Sequence, residues 1–242
     1  LKSRDYSETV NVAFDNLVAS LKKHNHVLFD GKVKVKKIGI VVMTSDKGLC
    51  GSFNSNTLKK LDEVVKNFKK DDKYVSIIAI GRKIKDYCKS KKKKLDSGID
   101  QLIPEIMFEE GKKISEEIVK KYLDDDYDEV YLLFSKFISA IKYSLQFEKV
   151  LPIEKKEGLP TDHEYIFEPS EEVVLREFIP KVFNIKLYQS LLENTASEHS
   201  ARMTAMQQAS DNAEDMINKL TIEYNRVRQG EITQELTEIV GG

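Results

Sequence analysis

From Lys181 to Val240 the chain carries no proline and a single glycine, Gly230. One helix over that stretch runs for about 60 residues and, at 1.5 Å per residue, spans roughly 90 Å. Helices in ordinary domains average about 11 or 12 residues, so a compact domain of this size offers no surface long enough to cover it. The apolar pattern says where the helix finds a partner. Ala196, His199, Met203, Met206, Ser210, Ala213, Ile217, Leu220, Tyr224 and Val227 alternate spacings of three and four, and eight of these ten are apolar. That is a coiled-coil seam held for more than about four heptads. Its small and soft residues predict a close-packed, adjustable seam, weaker than a leucine zipper. After Val227 the same spacing lands on the polar Glu231, Gln234 and Glu238, while Ile232, Leu236, Ile239 and Val240 form a new apolar set out of phase. The apolar face is therefore expected to rotate near Gly230.

Ahead of this helix the pattern is different. Residues 5 to 29 read as a helix with Val10, Phe14, Leu17, Val18 and Leu21 on one stripe, ended by Asp30-Gly31. Strands are expected at Val33 to Met43, Tyr74 to Ile80, Lys94 to Ser97, Glu129 to Phe134 and Tyr143 to Ile153, the last near an edge because Pro152 lies at its end. Helices are expected at Asn54 to Phe68, Lys83 to Lys89 and Pro104 to Leu123. Alternating strands and helices predict a Rossmann-like α/β layer domain with a largely parallel sheet. Residues 154 to 169, with Gly158, Pro160 and Pro169, read as a linker or surface loop. Ser170 followed by Glu171 and Glu172 suits a helix start, and Pro180 allows a kink or break. The division expected is 1 to 29, the end of a helix; 30 to 169, the α/β domain; and 170 to 242, the long helix.

The 39 basic and 40 acidic side chains nearly cancel, which disfavours a general nucleic-acid binder. No run approaches the roughly 20 apolar residues of a membrane span, so any membrane association is expected to go through a partner. Cys50 and Cys88 stand apart without metal-ligand spacing and suit a reducing compartment.

Several patterns could carry chemistry, and each has a plainer reading. Ser45-Asp46-Lys47-Gly48-Leu49-Cys50-Gly51-Ser52-Phe53-Asn54 follows a strand and opens a helix, where nucleotide folds hold phosphate. It lacks the Gly-Lys-Ser/Thr of a P-loop and the three spaced glycines of a dinucleotide site. The plainer reading is a tight turn permitted by Gly48 and Gly51, capped by Asn54 or Ser52. His24-Asn25-His26 has no ligand cluster around it. Asp124-Asp125-Asp126 with Asp128 lacks the glycine and terminal glutamate of a calcium loop, and Lys91 to Lys94 reads as a solvated basic loop. Glu198 and Arg202 are an i,i+4 pair, with His199 on the seam. No catalytic constellation, metal site or cofactor site emerges.

The run Leu187-Tyr188-Gln189-Ser190-Leu191-Leu192-Glu193-Asn194-Thr195-Ala196-Ser197-Glu198-His199-Ser200-Ala201-Arg202-Met203-Thr204-Ala205-Met206, the tail from Asn225 to Gly242 and the turn Ser45 to Asn54 together resemble the gamma subunits of F-type ATP synthases. The resemblance implies a non-catalytic rotor shaft. Its two long helices form an antiparallel coiled coil inside a ring of alpha and beta subunits, and its α/β domain sits against epsilon and the membrane ring of c subunits. It implies peripheral attachment to the cytoplasmic side of a bacterial-type cell membrane. By the same resemblance, Arg228 and Gln229, with Thr233 and Glu235 one turn on, contact a beta-subunit loop, and Tyr165, Phe167 and Glu168 contact the c ring. Residues 1 to 29 match only the distal end of the family's N-terminal helix, and the tail stops short of the family's usual end. Two other readings compete: a small nucleotide-binding enzyme with a helical tail, and a plain coiled-coil scaffold.

Overall fold

The computed structural model describes residues 34–100, 107–153 and 171–242, with positions 9, 12, 16, 28, 29, 31 and 32 besides. Of the helix expected at 5 to 29, the stripe Val10, Phe14, Leu17, Val18 and Leu21 and the run His24-Asn25-His26 lie outside the described residues, as do Pro104 at the start of the helix expected up to Leu123, the linker at 154 to 169 and Ser170.

Among the described residues, five strands form one sheet in the order β3-β2-β1-β4-β5. They are β1 (Lys37–Met43), β2 (Tyr74–Ile80), β3 (Leu95–Ile99), β4 (Glu129–Ser139) and β5 (Lys142–Leu151). β1 pairs in parallel with both β2 and β4, and β2 in parallel with β3. β4 and β5 form an antiparallel hairpin turning at Ala140 and Ile141. The sheet is thus largely parallel with one antiparallel edge strand, β5. The continuous apolar run of β1 has a simple cause: both faces are covered. Ile38, Ile40 and Val42 point to one side, against Leu61, Val64 and Val65 of helix α1 (Phe53–Lys70) and Ile84 and Cys88 of helix α2 (Arg82–Ser90). Val41 and Met43 point to the other, in a core with Ile114, Ile118 and Val119 of helix α3 (Met107–Leu123).

That second core does not stop at the sheet domain's last strand. It takes in Val182, Phe183, Leu187 and Leu191 of helix α4 (Glu171–Gly241), a single helix of 71 residues. Pro180 neither breaks nor ends it. A proline removes one i→i−4 bond, and burial of Val182 and Phe183 directly after it holds the next turn in place.

β4 runs five residues past the expected end at Phe134. The stretch Ser135 to Ser139 lacks a clean apolar alternation because its partners differ by side. β5 lies along one edge, with Phe134 opposite Gln146 and Ser135 opposite Leu145. On the other edge β1 has already stopped, its last pairing with β4 being Val42 with Leu133.

Candidate functional site

Parallel sheets bind ligands beyond the carboxyl ends of their strands, where the strand order reverses. Here that point lies between β1 and β4, and two features meet at it: the turn Ser45 to Phe53 and the middle of α4.

The turn is closed by side chains. Asn54 accepts the Ser45 backbone N–H at 3.0 Å and donates to Ser45 Oγ at 2.7 Å and to Cys50 Sγ at 3.2 Å. Ser45 Oγ in turn donates to the Lys47 carbonyl at 2.5 Å. Asn54 is therefore a clamp on the loop behind it, and the helix-starting residue Ser52 makes no side-chain cap bond. Gly51 takes a left-handed φ of +57°. The second left-handed residue is Leu49, at φ 60°, and not Gly48. The Ser45 N–H is thus spent on Asn54, and the Phe53 N–H on the Cys50 carbonyl at 3.2 Å.

α4 crosses this turn. Arg202 Nε donates to the Gly48 carbonyl at 3.3 Å, and the same guanidinium pairs with Glu198 at 2.7 Å, the expected i,i+4 contact. Two turns earlier on the helix, polar side chains reach the end of β4. Asn194 Oδ1 accepts the Ser135 N–H at 3.1 Å, and Glu193 Oε2 accepts the Phe137 N–H at 2.9 Å. Ser197 Oγ lies 3.0 Å from the Ser135 carbonyl and 2.8 Å from the Glu193 carbonyl of its own helix, its single proton shared between the two, and Ser200 Oγ donates to the Ala140 carbonyl in the β4–β5 turn at 2.5 Å. Glu193, Asn194, Ser197 and Ser200 are all buried. What remains of the crevice is a hollow of about 190 Å³ between Cys50, Gly51 and Ser52 on one wall, Ile141 and Tyr143 on another, and α4 from Ser200 to Gln208.

The remaining candidates resolve into structural roles. Asp128 Oδ2 accepts the N–H groups of Lys36 and Lys37 at 2.7 and 2.8 Å, and its Oδ1 meets Lys32 Nζ at 2.9 Å. Asp125, left-handed at φ 63°, pairs with the same Lys32 at 2.5 Å. The acidic run thus shapes the α3-to-β4 turn, and no metal-ligating cluster of three or more His, Cys, Asp or Glu occurs among the described residues. In the basic loop, Lys93 pairs with Asp62 at 2.6 Å, and Tyr87 donates to the other oxygen of Asp62. Burial and that bond push the Tyr87 phenol up to about 12. Burial also pushes the Cys88 thiol up, which leaves it a packing group and a poor nucleophile. An open hollow of about 780 Å³ at the amino ends of the strands is lined by Lys37, Lys69, Lys73 and Lys94 against Asp72, Asp96 and Asp126, a mixed-charge surface.

Comparison with known proteins decides what this architecture belongs to. A family model described as ATP synthase matches residues 1–242. The ATP synthase gamma chain of Fusobacterium nucleatum is 46% identical over 241 residues, covering 100% of this chain and 84% of that one. The gamma chain of Heliobacterium modesticaldum is 38% identical, covering 100% and 85%. This chain belongs to the gamma-subunit family of F-type ATP synthases. The fold agrees: the central stalk and c-ring structure of Tetrahymena thermophila mitochondrial ATP synthase contains a chain similar to this one at TM-score 0.62 and 23% identity, covering 86% of this chain and 96% of that one. A chain of the Euglena gracilis mitochondrial ATP synthase rotor has TM-score 0.62 at 16% identity, covering 96% and 95%.

For a gamma-family chain, the residues expected to meet partners fall in two places. Arg228, Gln229, Thr233 and Glu235 lie on the outer half of α4, all exposed. Thr233 Oγ1 donates to the Gln229 carbonyl at 2.8 Å, so those two share a face, while Arg228 and Glu235 stand about two turns apart on a neighbouring one. Tyr165, Phe167 and Glu168 lie outside the described residues. The seam from Met203 to Val227 is exposed, with Met203 at 57% and Tyr224 at 66%. Reading for apolar periodicity missed the opposite face of α4. Ser190, Asn194, Ser197 and Ser200 recur at helical spacing too, but as polar residues they fall outside any apolar pattern. The usable signal was that Asn and Ser, which favour caps and turns, recurred in mid-helix on one stripe.

Proposed function

We propose that this central-stalk chain of an ATP synthase is a rotor that couples ion-driven rotation of a c ring to the conformational cycling of beta-subunit catalytic sites, with no ATP chemistry of its own. The observation that carries the reading is the use made of α4. In its first half the helix fills the crevice where an α/β fold would bind a ligand, and beyond Ala205 it runs on for about 35 residues, roughly 50 Å, with its side chains almost all exposed. A helix rooted in a sheet domain and projecting that far suits transmission of motion better than catalysis. In this reading the foot, the α/β layers of 30 to 169, meets epsilon and the c ring. The helix of 170 to 242 enters an alpha/beta ring, with residues 1 to 29 beside it. Arg228, Gln229, Thr233 and Glu235 engage a beta-subunit loop, and Tyr165, Phe167 and Glu168 engage the c ring. Among the described residues no helix is long and apolar enough to cross a membrane, so attachment to the cytoplasmic face of a cell membrane goes through partner subunits.

The test is reconstitution. Mixed with alpha and beta subunits, the chain should co-elute with them as one large ATPase. Alone it should hydrolyse no ATP and, by calorimetry, bind it no more tightly than millimolar. Failure to co-elute, or micromolar nucleotide binding by the isolated chain, overturns the reading.

A further inference from the structure

We propose that the four polar side chains joining α4 to the end of β4 form the torsional joint of the rotor, the place where twist passes between shaft and foot. This rests on the rotor reading above and names the residues that make a rotor of this fold stiff.

The joint begins with a gap in the sheet. β1 leaves β4 after the pairing of Val42 with Leu133, while β4 continues to Ser139. A strand edge without a neighbour presents unpaired peptide groups, and buried ones must be satisfied. Here α4 takes the place of the missing strand. Asn194 and Glu193 accept the N–H groups of Ser135 and Phe137, which lie two residues apart and so face the same edge. Ser200 donates to the Ala140 carbonyl, and Ser197 shares its hydroxyl proton between the Ser135 carbonyl and the Glu193 carbonyl of its own helix. The Glu193 carboxylate is held from behind as well, its Oε1 accepting from Gln189 Nε2 at 3.0 Å.

Position on the helix makes these bonds mechanical. Before them, Val182, Phe183, Leu187 and Leu191 pack in the apolar core. Apolar contact resists separation but is not directional, so it opposes rotation of a helix about its own axis only weakly. A hydrogen bond weakens steeply as its angle opens, and three of them with the shared Ser197 contact, within about two turns and on one face, fix the helix's azimuth and its register along β4. Arg202 to the Gly48 carbonyl adds a contact to the β1 turn on the far side of the crevice. Just beyond, the helix leaves the domain. Twist applied along the exposed half must enter the sheet through this stretch.

The experiment uses the assembled alpha/beta/gamma complex, fixed by its ring to a surface, with a bead on the sheet domain of this chain. Angular fluctuation of the bead at the catalytic dwell gives torsional stiffness. In Asn194→Leu/Ser197→Ala the angular variance should rise at least twofold while unloaded ATP hydrolysis per assembled complex stays within about twofold of the parent. Glu193→Gln, which keeps an acceptor for Phe137, should match the parent, and Glu193→Leu should not. A role confined to fold stability would lower the melting temperature and leave the variance of assembled complexes unchanged, and that result overturns the joint. Should the double variant not assemble, the Glu193→Gln and Glu193→Leu pair decides, equal variance in the two overturning the proposal. A parent complex that does not rotate counts against the rotor reading itself, so the two failures are told apart.

Discussion

Asp128 shows how a single carboxylate can hold the entrance to a sheet. Burial disfavours its charge, but the Lys36 N–H, the Lys32 ammonium and the Lys37 N–H outweigh that and hold its pKa below the usual carboxylate range. A depressed pKa in the folded state means that Asp128 contributes stability above the unfolded-chain value near 4 and loses it as pH falls through the folded value. Asp128→Asn should therefore cost about 1 to 3 kcal/mol at pH 7, with the gap to the parent narrowing in acid. Denaturant titrations at pH 7 and pH 3 check this, and a gap of equal size at both sets the argument aside. Leu49 makes the opposite case, a residue that costs stability where it stands. Its backbone is left-handed and its side chain is 74% exposed, so the strain of roughly 1 kcal/mol or more has little packing to offset it. Leu49→Gly should stabilise the chain by up to about 1 kcal/mol, and Leu49→Ala, which keeps the strain, should not. Equal midpoints for the two variants would contradict this. The sequence placed a tight turn at Gly48 and Gly51, but which of its residues takes a positive φ depends on what anchors the loop, and Arg202 is remote in sequence while Asn54 reads only as a cap.

At the scale of elements, legibility followed burial. β1, β2 and α1 could be read closely because their apolar residues meet a core on the side the period predicts. The end of β4 and the inward face of α4 could not, because each satisfies the other with polar groups, and polarity in a sequence does not say whether its partner is water or a peptide. The seam of α4 was readable as a pattern, while its covering lies beyond what the described residues contain. The two halves of α4 should accordingly differ in dynamics. In the free chain, amides between Leu187 and Ser200, buried against the sheet, should exchange only with opening of the domain, whereas those between about 210 and 240 should exchange as in a solvated helix, where propensity alone is marginal. Hydrogen exchange by mass spectrometry reads both at once. On adding alpha and beta subunits the outer half should become protected, since each large side chain of the seam gains about 1.5 to 3 kcal/mol when fully covered. Protection of 210 to 240 in the free chain equal to that of the inner half would contradict this assignment.

For the molecule as a whole, the proposed point of action lies far from the fold that supports it. Arg228 sits about 23 residues beyond Ala205, where α4 becomes exposed, which is roughly 35 Å along the helix. Near it the three-four seam ends at Val227 and the apolar set shifts phase, so under the proposed reading the helix there turns its apolar face toward a different partner. Exposed guanidinium and amide groups at that change of face are suited to grip a partner directionally. A guanidinium can hold a carboxylate with two parallel bonds, and such a charge-assisted contact, once desolvated, is worth roughly 1.5 to 3 kcal/mol. That is enough to slow turnover or loosen assembly, and too little for its loss to stop rotation. Arg228→Ala with Gln229→Ala should therefore lower the ATPase rate of the assembled complex several-fold and reduce its stability to dilution. The melting of the sheet domain should not change, because neither side chain touches it. Arg228→Lys, which keeps the charge but not the fork, should fall between parent and double variant. A double variant that assembles and turns over like the parent would remove Arg228 and Gln229 from the beta-subunit contact and leave the outer helix to act by shape alone.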